Sequence, residues 1–210
     1  MRGIKVNAQR LSQIRRARGL TQRELAVSAG VGERTVRNAE SGRRVRLDFL
    51  KYLATALGVE VLDVVLDNDE LQISLQEQQR VGHILAAIDC FAGEGDLSEF
   101  INLGTSSILV NMPGAPHVPF AGEYRGADGL RKLEDRNQQF LLRERPPEIL
   151  DIRASGKLVV LSGQDWFSAI PTGKSFSTWW QQIYEFDEGR IARVDILGDT
   201  ALAAWAFQPG

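Results

Sequence analysis

Residues 19–42 read GLTQRELAVSAGVGERTVRNAESG. Thr21 and Glu24 stand three apart, the spacing of a capping box in which the threonine hydroxyl accepts from the Glu24 amide and the glutamate side chain reaches back. Leu25, Ala26 and Ala29 then share one face of a helix. Gly30 supplies a position where positive φ costs little. A second short helix is expected from Gly32 to Ala39, with Val36 and Ala39 inward, and Ser41-Gly42 stops it. The stretch therefore predicts two short helices joined by a tight turn, crossing at the small residue Ala26.

Working outward, Leu11 and Ile14 are three apart in a polar background, and their helix ends at Gly19. Downstream, Leu47, Leu50, Leu53, Ala54 and Leu57 mark an amphipathic helix closed by Gly58. Val61, Leu62, Val64 and Val65 suggest a fifth, short one. Residues 1–66 thus read as an all-α bundle of five helices. Their formal charge is +7, against −9 for residues 67–210, although the whole chain of 210 residues carries only −2. A basic piece joined to an acidic one predicts two domains with different partners. Basic clustering between Arg10 and Lys51 is the footprint of a polyanion binder.

This N-terminal pattern resembles the helix-turn-helix of the Xre family, the phage repressor and Cro type. TQxxLA at 21–26, the Gly30-Val31 turn and ExG at 40–42 carry the likeness, which spans about residues 8–66. The resemblance implies sequence-specific DNA binding. Glu33, Arg34, Arg37 and Asn38 share one face of the second motif helix, the face that enters the major groove in this family. There Arg34 and Arg37 would read guanine, Asn38 adenine, and Glu33 would accept from cytosine. Gln22 matches the family's phosphate-positioning glutamine. Arg43, Arg44 and Arg46 would lie near the DNA backbone. Arg15 and Glu40 match an ion pair that ties the first helix to the end of the recognition helix. Gly32 departs from the pattern, which often has Ser or Thr as N-cap there.

Residues 67–80, DNDELQISLQEQQR, read as a linker or connecting helix. Helical spacing follows at Val81, Ile84, Leu85 and Ile88, then Gly93-Glu94-Gly95 breaks it. Asp96 is placed to cap a short helix with Leu97, Phe100, Ile101 and Leu103. A strand is expected at 108–112, a helix at 127–142 capped near Asp128, and strands at 149–154, 157–168, 174–186 and 190–197. A terminal helical stretch begins at Asp199. Helices followed by antiparallel strands predict an α+β domain over 81–207. GEYRGADGLRKL at 122–133 and YEFDEGRIARVDILGDTA at 184–201 resemble the polyketide-cyclase and ketosteroid-isomerase-like cone fold of the nuclear transport factor two superfamily, SnoaL-like in pattern. The resemblance implies a curved, mainly antiparallel sheet wrapped around a pocket, in a domain that dimerises, binds a small molecule or catalyses.

Two registers are open for the last strand. With Ala192, Val194 and Ile196 inward the wall is apolar; with Arg193 and Asp195 inward a charged pair enters the cone. The first is preferred because it leaves the charges in water. A three-residue loop closing on Gly189 then puts Trp180, Gln182 and Tyr184 on the inner face, with Gln182 and Tyr184 as polar anchors for a flat apolar or aromatic ligand. Trp166 is a further candidate for the ligand pocket. His83 is expected to be structural, His117 a loop residue and Cys90 a small core residue. One cysteine excludes an intrachain disulfide. Two isolated histidines predict no metal site, and no phosphate cradle or nucleophile motif predicts a cofactor or a catalytic residue. No apolar run is long enough to span a membrane. MRGIKVNAQRL has no apolar signal-peptide core, so a cytoplasmic location is expected.

The reading is a transcriptional regulator, a homodimer on a double-stranded operator with half-sites roughly 34 Å apart or a multiple of that, whose cone domain dimerises, senses a small effector, or both. An enzymatic cone, a cyclase, isomerase or dehydratase fused to a DNA-binding domain, is the alternative; buried Asp or His in the cone would favour it. An interaction module without a cavity is a third class.

Overall fold

A computed structural model of the chain describes residues 3–209. It divides into two compact units, one up to Gln78 and one from Gln79 onward. Among the described residues no helix is long and apolar enough to cross a membrane.

The first unit opens with a two-residue strand, β1 (Ile4–Lys5), followed by α1 (Ala8–Ala17), α2 (Gln22–Ser28) and α3 (Glu33–Glu40). A second two-residue strand, β2 (Arg44–Val45), leads into α4 (Leu47–Leu57), and a 3-10 turn covers Val61–Val64. Asn7 caps α1 by accepting from the Arg10 amide. Thr21 and Glu24 form the expected capping box on α2. Gly58, at φ 60, closes α4 in the left-handed region. Leu11, Leu25, Val36, Leu50, Leu53 and Leu57 are buried together in one core.

Two details correct the all-α, five-helix expectation. The fifth apolar run winds into a 3-10 turn rather than an α-helix. The β1 and β2 strands pair antiparallel, Ile4 opposite Val45, and Val6 bridges Val65. Strands of two residues alternate too briefly for period two to register in a sequence, although Ile4 and Val6 are both buried.

The second unit contains most of α5 (Asn68–Glu94), a single helix over the expected linker and the helical stretch after it. Next come α6 (Ser98–Leu103), β3 (Gly104–Met112), β4 (Gly122–Arg125), α7 (Gly126–Phe140), β5 (Leu141–Ser155), β6 (Leu158–Ala169), β7 (Ser175–Asp187), β8 (Arg190–Gly198) and α8 (Thr200–Ala206). The strands form one sheet in the order β4-β3-β8-β7-β6-β5. Neighbours pair antiparallel except β3 with β8, which is parallel, so the sheet is mixed. The strand expected at 149–154 begins earlier, at Leu141, and runs through Pro146-Pro147. Proline is tolerated there because β5 is an edge strand, and register shifts between Arg143 and Asp151 absorb its missing donor. Helix α7 starts at Gly126, ahead of Asp128, which lies in its first turn.

The β7–β8 hairpin departs from expectation in an instructive way. Its loop has two residues, Glu188 at φ 46 and Gly189 at φ 82, with Asp187 paired to Arg190. Two consecutive positive φ values match the twist of the strands. Alone, that loop would place Ile191 inward and expel Val194. A bulge prevents this: Phe186 pairs Ile191, but Glu185 pairs Arg193, leaving Ala192 as the extra residue. Ile191 and Val194 are consequently both buried, and Ala192 does not take the inward place expected of it.

Candidate functional site

In the first unit, α3 presents Glu33, Arg34 and Arg37 to solvent, opposite the buried Val36 and Ala39. Glu33 and Arg37 are an i,i+4 ion pair at 3.8 Å, both largely exposed. Asn38 is half-buried, its side-chain oxygen 3.5 Å from Arg43 Nη1. Gly32 caps the helix with backbone alone. Arg43, Arg44 and Arg46 follow as exposed residues. Arg44 donates to the Gly3 carbonyl at 2.8 Å. Arg46 donates to Asp48 and lies over the Phe49 ring.

Arg15 holds Glu40 with two hydrogen bonds, Nε at 2.5 Å and Nη2 at 2.9 Å, and donates to the Leu20 carbonyl through Nη1. Gln22 also donates to Glu40, at 2.8 Å. The amide expected at a DNA phosphate is thus bonded to Glu40, the last residue of α3. Burial pushes the Glu40 carboxyl up, but the bonds from Arg15 and Gln22 and the Arg15 charge outweigh it and leave it below its ordinary value.

In the second unit, helices α5, α6 and α7 and the inner face of the sheet enclose a cavity of about 430 Å³. Ile88 and Phe91 of α5, Phe100 of α6, Ile108 and Val110 of β3, and Leu130 and Leu133 of α7 give it an apolar wall. The structure brings Trp180, Gln182, Tyr184, Val194 and Ile196 together along it. Tyr184 is buried and donates to Gln182 Oε1 at 2.5 Å, so these two polar groups engage each other. Burial pushes the Tyr184 phenol up, so it is neutral.

Trp166 is not part of the cavity. Its ring carries the Arg145 guanidinium, whose carbon is 3.2 Å from the ring centroid. On β6, Val159 and Leu161 are fully buried, and two-residue alternation from them carries Gly163, Asp165 and Phe167 inward and Trp166 outward. Asp165 and Arg143 are among the polar cavity residues that sequence reading missed. Anchoring the β6 alternation on Val159 and Leu161 would have found Asp165.

Asp165 is buried and ion-paired with Arg143 across β5 and β6. Burial pushes its carboxyl up to about 6, against the opposing pull of Arg143. Burial lowers the Arg143 guanidinium, and Asp165 partly restores it. The guanidinium carbon lies 5.3 Å from the Phe91 centroid and 4.8 Å from that of Phe167. Trp180 Nε1 is buried without a hydrogen-bond partner among the described residues, although it lies near enough to Asp165 to favour the ionised carboxylate.

Three further placements differ from or complete the sequence reading. Cys90, expected in the core, and His83, expected to be structural, are both exposed on α5, because Ile84, Ala87 and Ile88 take its inner face. His117 lies in an exposed loop, Nε2 3.2 Å from the Ala204 carbonyl. Arg193 and Asp195 pair with each other on the outer face of β8, where Asn111 also donates to Asp195.

A helix-turn-helix unit is thus followed by an α+β unit with the nuclear transport factor two-like fold. Residues 11–64 match the family described as Helix-turn-helix. An NTF2-like protein from Burkholderia xenovorans LB400 is similar to the second part, at 20% identity and TM-score 0.56, covering 63% of this chain and 98% of that one. A protein named as a SnoaL-like polyketide cyclase, from Jannaschia sp. CCS1, matches at 14% identity and TM-score 0.53, covering 64% and 95%. TerC, solved with polyporic acid, matches at 15% identity and TM-score 0.55, covering 62% and 98%. At these identities the likeness is one of fold. A search of curated protein sequences finds no match.

Proposed function

We propose that this chain is a sequence-specific transcriptional regulator whose second unit binds a small apolar ligand and dimerises. The observation that carries the reading is the helix-turn-helix match over residues 11–64, together with a recognition helix that leaves Arg34 and Arg37 exposed and largely free for bases. The ligand part rests on the cavity, whose size and apolar wall suit a small molecule. Dimerisation draws support from Trp179 and Leu197, which are 59% and 41% exposed on neighbouring strands β7 and β8.

The test is selection of random double-stranded DNA by the full chain. A palindromic consensus supports a dimeric regulator. No enrichment removes the regulator reading. A ligand that fills the cavity and leaves operator affinity unchanged would count against coupling between the units.

One observation favours the enzymatic alternative. Asp165, buried in the cone with its carboxyl near 6, has the environment of a general acid or base. Its pairing with Arg143 gives it an equally good structural role. Turnover of a bound ligand that is abolished in Asp165→Asn would establish the enzyme.

A further inference from the structure

We propose that the cavity of the second unit takes an apolar ligand bearing one anionic oxygen group, a carboxylate or an ionised phenol or enol, and that Arg143 is the residue that holds it. This rests on the reading of the cavity as a ligand site and adds the chemistry of the occupant.

Arg143 lines the cavity, with its guanidinium carbon near the rings of Phe91 and Phe167. Aromatic neighbours of this kind orient the planar group and leave its N–H edge for recognition. A guanidinium fork has five N–H donors and suits a carboxylate through two parallel bonds. Asp165 takes one of them, through Nη1. No partner is found for the others among the described residues. Trp180 also lines this end of the cavity, its indole N–H near enough to Asp165 to favour that carboxylate. Of the acceptors beside them, the Asp165 carboxylate is engaged by Arg143 and Gln182 Oε1 by Tyr184. Arg143 thus keeps N–H donors to spare, and the wall beyond it is largely hydrocarbon, with Asn137, Gln138, Thr178, Asp199 and Thr200 as its other polar residues. A ligand complementary to that inventory brings acceptor oxygens and negative charge at one end and an apolar body at the other.

The experiment uses the full chain and two isosteric probes, 2-naphthoate and 2-naphthamide, titrated by calorimetry at neutral pH. Naphthoate should bind about tenfold more tightly, because a charge-assisted bond to Arg143 forms only with the carboxylate. In Arg143→Gln the two affinities should become equal, with naphthamide little changed. The wild-type comparison decides the matter even if the variant folds poorly. Equal binding of both probes to the wild type would overturn the anionic anchor and leave the cavity as a ligand site. A preference for naphthoate that persists in Arg143→Gln would also overturn it. Binding of neither probe would overturn the ligand reading along with the proposal.

Discussion

The indole of Trp180 lies against the bare Cα of Gly163, its cross-strand partner on β6. A Cβ at Gly163 would stand 2.8 Å from Trp180 Cη2, and nearer still to Cζ2. The absence of a side chain at 163 is what gives the Trp180 ring its place at the cavity wall.

Gly163→Ala should therefore cost about 1–3 kcal/mol, the range for overpacking a filled interior. All four tryptophans, Trp166, Trp179, Trp180 and Trp205, belong to the second unit, so a thermal melt followed by tryptophan fluorescence reports on that unit. The Glu148 carbonyl, 2.5 Å from the same Cβ, would have to yield as well, so an unchanged melting temperature would show that indole and carbonyl both move aside freely.

Much of the first unit was legible because its signals are local. Capping at Thr21, the turn at Gly30 and helical spacing at Leu47–Leu57 each lie within a few residues. The cavity was legible only in part, because its lining depends on strand phase, and phase is set by long-range pairing. On β8 the bulge at Ala192 and a two-residue loop offset each other, so Val194 and Ile196 still line the cavity as expected. On β6 no such offset exists, and choosing Trp166 for its aromatic ring placed it on the wrong face. Arg143 was out of reach altogether, since β5 begins before two prolines that ordinarily argue against a strand.

The Asp165 carboxyl, raised to about 6 by burial against the pull of Arg143, makes the second unit's stability depend on pH. Its folded value lies above its ordinary one of 3.8, so the folded form holds the proton more tightly. Stability from this group is fully present below the ordinary value and is lost as pH rises through about 6. Asp165→Asn should flatten that slope in tryptophan-detected melts across the window. A wild-type melting temperature that rises through it would contradict the assignment.

Glu40 shows the opposite sign. Burial pushes its carboxyl up, but Arg15 and Gln22 hold it below the ordinary value, so its contribution is present at neutral pH and is lost as pH falls through the folded value. Arg15→Met leaves Glu40 without its charged partner and should cost the first unit about 2 kcal/mol, less than the ~3–5 kcal/mol of a fully buried pair. Amide hydrogen exchange across α1, α2 and α3 would read this, with faster exchange expected in all three helices. Acceleration confined to α1 would mean that the pair does not tie the recognition helix down.

Arg34 and Arg44 should part company on DNA. Arg34 is exposed on α3, while its neighbour Arg37 is occupied in part by Glu33 at 3.8 Å. Arg34→Ala should cost about 1–3 kcal/mol at a selected site and relax preference at one base pair. Arg44 lies beyond the helix as an exposed residue, and its guanidinium donates to the Gly3 carbonyl through Nη1 at 2.8 Å, which holds the side chain near β1. Arg44→Ala should weaken binding alike on every sequence and reduce the salt slope by about one unit. Titrations of both variants against selected and scrambled duplexes at several salt concentrations separate the two roles. Equal loss on all sequences for Arg34→Ala would make it a phosphate contact, and an unchanged slope for Arg44→Ala would confine Arg44 to bracing the β1–β2 ribbon.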